Sequence, residues 1–108
     1  MTLSKEMDGK RDYRPSPLDL KNITVPKGLE NLIEALAKNV HETWAEGRLK
    51  EGWTFGPKRD ETLRQTPCLV PYEDLPEEEK EYDRKTALST IGFILASGYT
   101  LVKNNDHD

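Results

Sequence analysis

The chain is predicted to be a small, mainly α-helical single domain, with two main amphipathic helices, long proline-rich connections and one or two short strands. Three observations point to it. Apolar residues recur at helical spacing in two stretches, around 29–44 and 87–95, and nowhere else for so long. Prolines 15, 17, 57, 67 and 71 fall before and between those stretches, where they interrupt regular structure. The length of 108 residues fits one domain, and no segment repeats.

The elements follow in chain order. Residues 1–11 are polar and aperiodic and are expected to be a disordered tail, as are 104–108, leaving 12–103 as the folded domain. "DYRPSPLDLKNITVP" suits an extended segment laid across a core. The first helix is expected to open at Pro26, since proline is well placed at a first helical position. Leu29, Leu32, Ile33, Leu36, Ala37, Val40 and Trp44 form its apolar stripe, with Trp44 in the core, and Glu30, Glu34, Lys38, Glu42 and Glu46 its solvated face. Gly47, inside the helix, hints at a close approach by another segment, and Gly52 reads as a left-handed cap. In the connection, "CLV" (68–70) suits a brief strand, and Asp74 with Glu77 has capping-box spacing. The second helix then carries Ala87, Leu88, Ile91, Ile94 and Leu95 on its stripe, with Tyr82 extending it upstream. Gly98 ends it, with Tyr99 set to pack back on Ile94, and "YTLV" (99–102) alternates like a short strand.

Composition narrows the function classes. A net charge of −4 disfavours nucleic acid and anionic membranes as partners. No apolar run approaches the roughly 20 residues of a membrane span, and "MTLSKEMDGKR" has no apolar signal core, so a cytoplasmic protein is expected. A lone cysteine, Cys68, and two histidines leave no metal-ligand set, and no cofactor is expected. His41 has no nucleophile or orienting carboxylate beside it in sequence and reads as hydrogen-bonded to backbone or a neighbouring loop. No catalytic residue emerges, and the chain does not read as an enzyme.

Two groups of residues stand out. Trp53 and Tyr72, with Arg48, Lys58 and Arg59 nearby, either close a small core or stack a flat, nucleotide-like anionic ligand between aromatic faces and guanidinium groups. Phe93, off the stripe of the second helix, and Leu101 and Val102 are apolar groups left over for an interface, and a weak homodimer or another protein partner would use them.

Pro15-x-Pro17, His41-x-x-Trp44, Arg48-x-x-x-Gly52-Trp53, Leu69-Val70-Pro71-Tyr72, Lys80-x-x-Asp83-Arg84 and Gly98-Tyr99, occurring jointly and in this order, resemble the RyR domain, the repeat found in ryanodine receptors. The resemblance covers residues 13 to about 102. It implies a mainly helical module with short strands and no catalytic residues of its own. In ryanodine receptors such repeats occur as tandem, pseudo-symmetric pairs. A single copy without a pore is not expected to be an ion channel, and it is similar to copies in prokaryotic and phage proteins. The chain departs from the family at Gln65-Thr66, where many members carry a basic or histidine-containing pair. Tyr72, Lys80, Asp83 and Arg84 read as a polar clasp joining the connection to the helices. The expected function is a protein-assembly module, with small-molecule sensing as the alternative.

Overall fold

The computed structural model describes residues 12–104; the expected tails lie outside the described residues, save for Asn104. A 3₁₀ turn at Leu20–Asn22 is followed by helix α1 (Glu30–Lys50), strands β1 (Thr54–Phe55) and β2 (Gln65–Thr66), a second 3₁₀ turn at Tyr72–Asp74, and helix α2 (Glu77–Ala96). Two helices, a proline-rich connection and one two-stranded sheet are thus the architecture the sequence predicts.

α1 starts at Glu30 rather than Pro26. Gly28 takes a left-handed φ of +96°, which breaks any helical run from the proline, and its N–H is held by the Glu30 carboxylate at 3.0 Å. Gly47 meets nothing within 4 Å of where a side chain would be, so it is a tolerated weak point and not a site of close approach. Both helices end in the same way. At α1 the N–H of Gly52 reaches Leu49 O and that of Trp53 reaches Arg48 O; at α2 Gly98 reaches Leu95 O and Tyr99 reaches Ile94 O. Each glycine sits at φ of +90° or +96°, the left-handed turn that this paired closure requires. The Tyr99 ring itself is exposed and does not fold back on the helix.

α2 opens directly after Pro76 with Glu77, Glu78 and Glu79 in its first turn, where carboxylates favour the helix dipole. The Asp74–Glu77 capping box does not form: Asp74 belongs to the second 3₁₀ turn, and Pro76 occupies the cap position with no side-chain bond. The hydroxyls of Thr86, Thr90 and Ser97 bond back to the carbonyls of Tyr82, Thr86 and Phe93, so these weak helix formers satisfy themselves within the helix.

The sheet is elsewhere than expected. β1 and β2 pair in parallel, Thr54 with Gln65 and Phe55 with Thr66, and the loop between them is pinched by an antiparallel bridge from Asp60 to Gln65. "CLV" forms no strand, because Cys68 N–H turns back to the Thr66 hydroxyl at 3.2 Å. "YTLV" lies beyond the α2 closure and finds no partner strand among the described residues.

The core is small and shared by both helices and the connection. Ala37 and Ala87 are completely buried, one from each helix, and cluster with Tyr72 and Leu75; Ile33, Leu36, Cys68 and Val70 pack around them. Leu32 and Tyr82 are exposed, so the two stripes are narrower than their sequence periods suggest. Trp44 is only half-buried, whereas Trp53 is buried: the core position expected for the first belongs to the second.

The proline-rich segment lies against α2 at Gly92. A methyl group there would stand 3.3 Å from Ile23 Cγ2 and 3.4 Å from Leu20 Cδ2. Gly92→Val is expected to lift this segment, destabilising the domain by about 1–3 kcal/mol and exposing residues 12–25 to limited proteolysis. Gly92→Ala should be nearly neutral, since a helix-propensity gain of about 1 kcal/mol offsets the tighter contact.

Candidate functional site

The corner where α1 enters the connection is a ladder of rings and guanidinium groups. His41, Trp44 and Arg48 share one face of α1 by their spacing of three and four residues. The His41 and Trp44 rings stack at 5.6 Å with 28° between planes. The Arg48 guanidinium lies 5.9 Å from the Trp44 ring and 5.0 Å from that of Trp53, and Arg59 lies 5.4 Å from the other partner of this set, the Trp53 ring. Trp53 is placed there by the α1 closure, which turns the chain sharply after Gly52.

These contacts decide which rings are available. Trp53 is 6% exposed and is attended by both arginines, so the chain's own cations fill the role of a stacking partner. Tyr72 is 3% exposed, its hydroxyl donates to Glu34 at 3.0 Å, and Lys80 sits 5.9 Å from its ring. Lys58 is exposed. Of the residues proposed from sequence to hold a ligand, the structure brings Arg48, Trp53 and Arg59 together and sets Tyr72 apart, in the core.

Beside this corner is a cleft of about 400 Å³, lined among others by His41, Trp44, Arg59, Tyr82, Asp83 and Glu79. Leu75 contributes apolar wall, and Thr66 and Cys68 come from the connection. His41 is buried and its Nε2 bonds the Val70 carbonyl at 2.7 Å, the loop contact its sequence context suggested; because that oxygen only accepts, Nε2 is the donor. Burial lifts the Asp83 carboxyl above its ordinary value, His41 opposes that shift and Glu79 adds to it. Burial also pushes the Cys68 thiol up, which keeps it protonated and unreactive.

On the other side of α2, Tyr72 and Arg84 of the expected clasp meet on a residue not foreseen in it, Glu34. Arg84 donates to both oxygens of Glu34, at 2.8 and 3.3 Å, and to Glu77 and Glu81, each at 2.7 Å. Glu34 therefore ties Tyr72, α1 and α2 together, although its spacing places it on the solvated face. Asp83, next to Arg84 in sequence, takes no part and belongs to the cleft. Burial, reinforced by the bond to Glu34, pushes the Tyr72 hydroxyl up to about 12. The bond from Arg84 holds Glu34 and Glu77 below the usual glutamate value, with desolvation opposing.

A carboxyl depressed in the folded state contributes stability above its unfolded pKa and loses it as pH falls through its folded pKa. The melting temperature is therefore expected to drop as pH falls below 4.5, the ordinary glutamate value. The drop should be smaller in Arg84→Met and shallower in high salt, since these groups face water. An Arg84→Met protein with an unchanged acid profile would show that the clasp carries no such linkage.

The interface candidates lie away from the cleft lining. Phe93, Leu101 and Val102 are all exposed. Pro15 and Pro17 are exposed in the extended segment, and Pro71 leads into the second 3₁₀ turn.

Fold and site together define a class: a small, mainly helical domain whose connection folds back as a third wall of the core, with an aromatic and guanidinium corner at its hinge. The family model described as the RyR domain matches residues 13–103, most of the chain. The chain belongs to the RyR domain family. No helix among the described residues is long and apolar enough to cross a membrane.

Proposed function

We propose that this RyR domain is a non-enzymatic binding module that takes a small molecule in the cleft between α1, α2 and the connection. The observation that supports this reading is the cleft itself. It is concave, of a size suited to a small ligand, and combines a partly buried tryptophan, Trp44, with convergent polar groups, one of them a carboxyl with a shifted pKa. Sensing by stacking, first expected at Trp53 or Tyr72, moves to Trp44, because Trp44 is the tryptophan that keeps surface exposed.

A thermal-shift screen with a panel of metabolites tests it. A ligand at about 100 times its dissociation constant should add about 2.7 kcal/mol to the stability of the folded state. The shift should disappear in Trp44→Ala, which retains the buried Trp53. A stabilising compound that acts equally on wild type and Trp44→Ala would place binding elsewhere, and a panel without a hit would favour protein assembly through the exposed Phe93, Leu101 and Val102 surface.

A further inference from the structure

Helix α2 carries apolar side chains on two opposite faces, and the core takes only one. Ala87 and Ile91 turn inward, and Gly92 receives Leu20 and Ile23 on the flank. The face opposite Ala87 and Ile91 presents Tyr82, Thr86, Ser89, Phe93 and Ala96, spaced alternately four and three residues apart. That is the spacing of a coiled-coil seam, along which one helix packs on another. Tyr82 and Phe93 are 71% and 62% exposed, so no described part of the chain covers the two ends of the seam.

Charge and hydrogen bonding set this face apart from the rest of the surface. From Thr86 to Val102 the sequence has no charged residue, the longest such run in a chain that is 33% charged. The hydroxyls of Thr86, Thr90 and Ser97 donate to carbonyls of α2 itself, at 3.1, 3.0 and 2.8 Å. They need no water, so a partner can cover them without leaving a donor unpaired. A single exposed aromatic is ordinary, but two in one uncharged seam suit an interaction surface.

The order of sizes along the seam points to the partner. From Tyr82 to Phe93 it runs aromatic, small hydroxyl, small hydroxyl, aromatic, and it reads the same in reverse. A twofold axis makes each contact occur twice with the roles exchanged, so a surface with this pattern is complementary to itself. We propose that the chain forms an antiparallel homodimer through this face of α2. Tyr82 of each copy packs on Phe93 of the other, and Thr86 meets Ser89. The aromatic pairs close the two ends, and the four small side chains between them let the helices approach closely. In this register Lys85 faces Thr90 and Glu79 faces Ala96, so two chains of net charge −4 meet without like charges opposed. Four layers of one helix pair cover less than the roughly 1,200 Å² at the low end of standard interfaces, so the dimer is a weak one. It does not depend on a ligand in the cleft.

Sedimentation equilibrium of the whole chain, from about 10 μM to about 1 mM and without any ligand, tests it. The wild type should pass from monomer towards dimer across that range. Tyr82→Lys and Phe93→Glu should each weaken association about tenfold or more. Both rings face solvent, so at about 10 μM each variant should melt close to the wild type. An equimolar mixture of the two variants should recover a dimer with one chain of each. It sets the new ammonium against the new carboxylate at one end and keeps Tyr82 on Phe93 at the other. Isotope-filtered NMR on a mixed-label wild-type sample should show contact between these two rings across chains, which checks the pairing without a substitution. A wild type that stays monomeric at about 1 mM would overturn the dimer. A dimer unmoved by either substitution would overturn this face as its interface. Single variants that dissociate but fail to recover on mixing would overturn the antiparallel register.

Discussion

Trp53→Ala is expected to cost about 3–5 kcal/mol of folding stability, the range for truncating a large buried aromatic. Trp53 is the larger of the two tryptophan losses because it is buried while Trp44 is only partly so. Its removal also strips two guanidinium groups of the ring they lie against, Arg48 at 5.0 Å and Arg59 at 5.4 Å. A domain of this size has about 5–15 kcal/mol in total, so the variant should be partly unfolded at physiological temperature or melt at least about 12 °C lower. Trp44→Ala should cost about 1–2 kcal/mol, from the smaller area it withdraws from water. Chemical denaturation of both variants checks the order. Equal losses, or a larger loss at Trp44, would mean that the corner is supported from the cleft side and not from beneath.

The second large effect is expected at His41. His41→Ala should cost about 2–4 kcal/mol, combining a cavity in the core wall with a Val70 carbonyl deprived of its donor. The 2.7 Å bond from Nε2 to that carbonyl, the stack on Trp44 and the tilted contact with Tyr72 at 6.3 Å all fix the connection against α1. His41→Gln, which offers an amide donor at similar reach, should recover part of the loss. A His41→Ala protein within about 0.5 kcal/mol of wild type would remove His41 from the structural account. Placing the imidazole in a supporting role also explains why it pairs with no nucleophile: Cys68, in the same cleft wall, is held protonated by burial.

Much of this architecture was legible in the sequence because its signals are local. The spacing of Ile33, Leu36, Ala37 and Val40 and the glycines at 52 and 98 set the two helices and their ends, and each depends on contacts within a few residues. The sheet was not legible. Thr54-Phe55 and Gln65-Thr66 are too short to show alternation, and their pairing depends on a pinched loop held by the Asp60 side chain on the Leu63 N–H, at 3.0 Å. The corner was half legible. Its residue types gave aromatic and guanidinium groups together, but only the folded path shows that Arg48 lies against both tryptophans, Arg59 against Trp53 alone, and that Trp44 lines the cleft. Glu34 escaped because a carboxylate at the edge of an apolar stripe looks solvated until its partner arrives from fifty residues away. Arg84, singled out without an acceptor, was the available signal.

The way the core is divided has a consequence for how the chain reaches this state. Tyr72 and Leu75, supplied by the segment that joins the helices, cluster with Ala37 and Ala87 where the two helices pack directly on each other. Two helices linked by a passive tether can zip from the turn outward, each contact shortening the next loop. Here the contacts that close the core span large sequence separations, 29 residues from His41 to Val70 and 50 from Glu34 to Arg84. Closing the core therefore carries the loop entropy of the connection, whichever of these contacts forms first. Trimming the connection would take Tyr72 and Leu75 out of the core cluster and is expected to destabilise the domain.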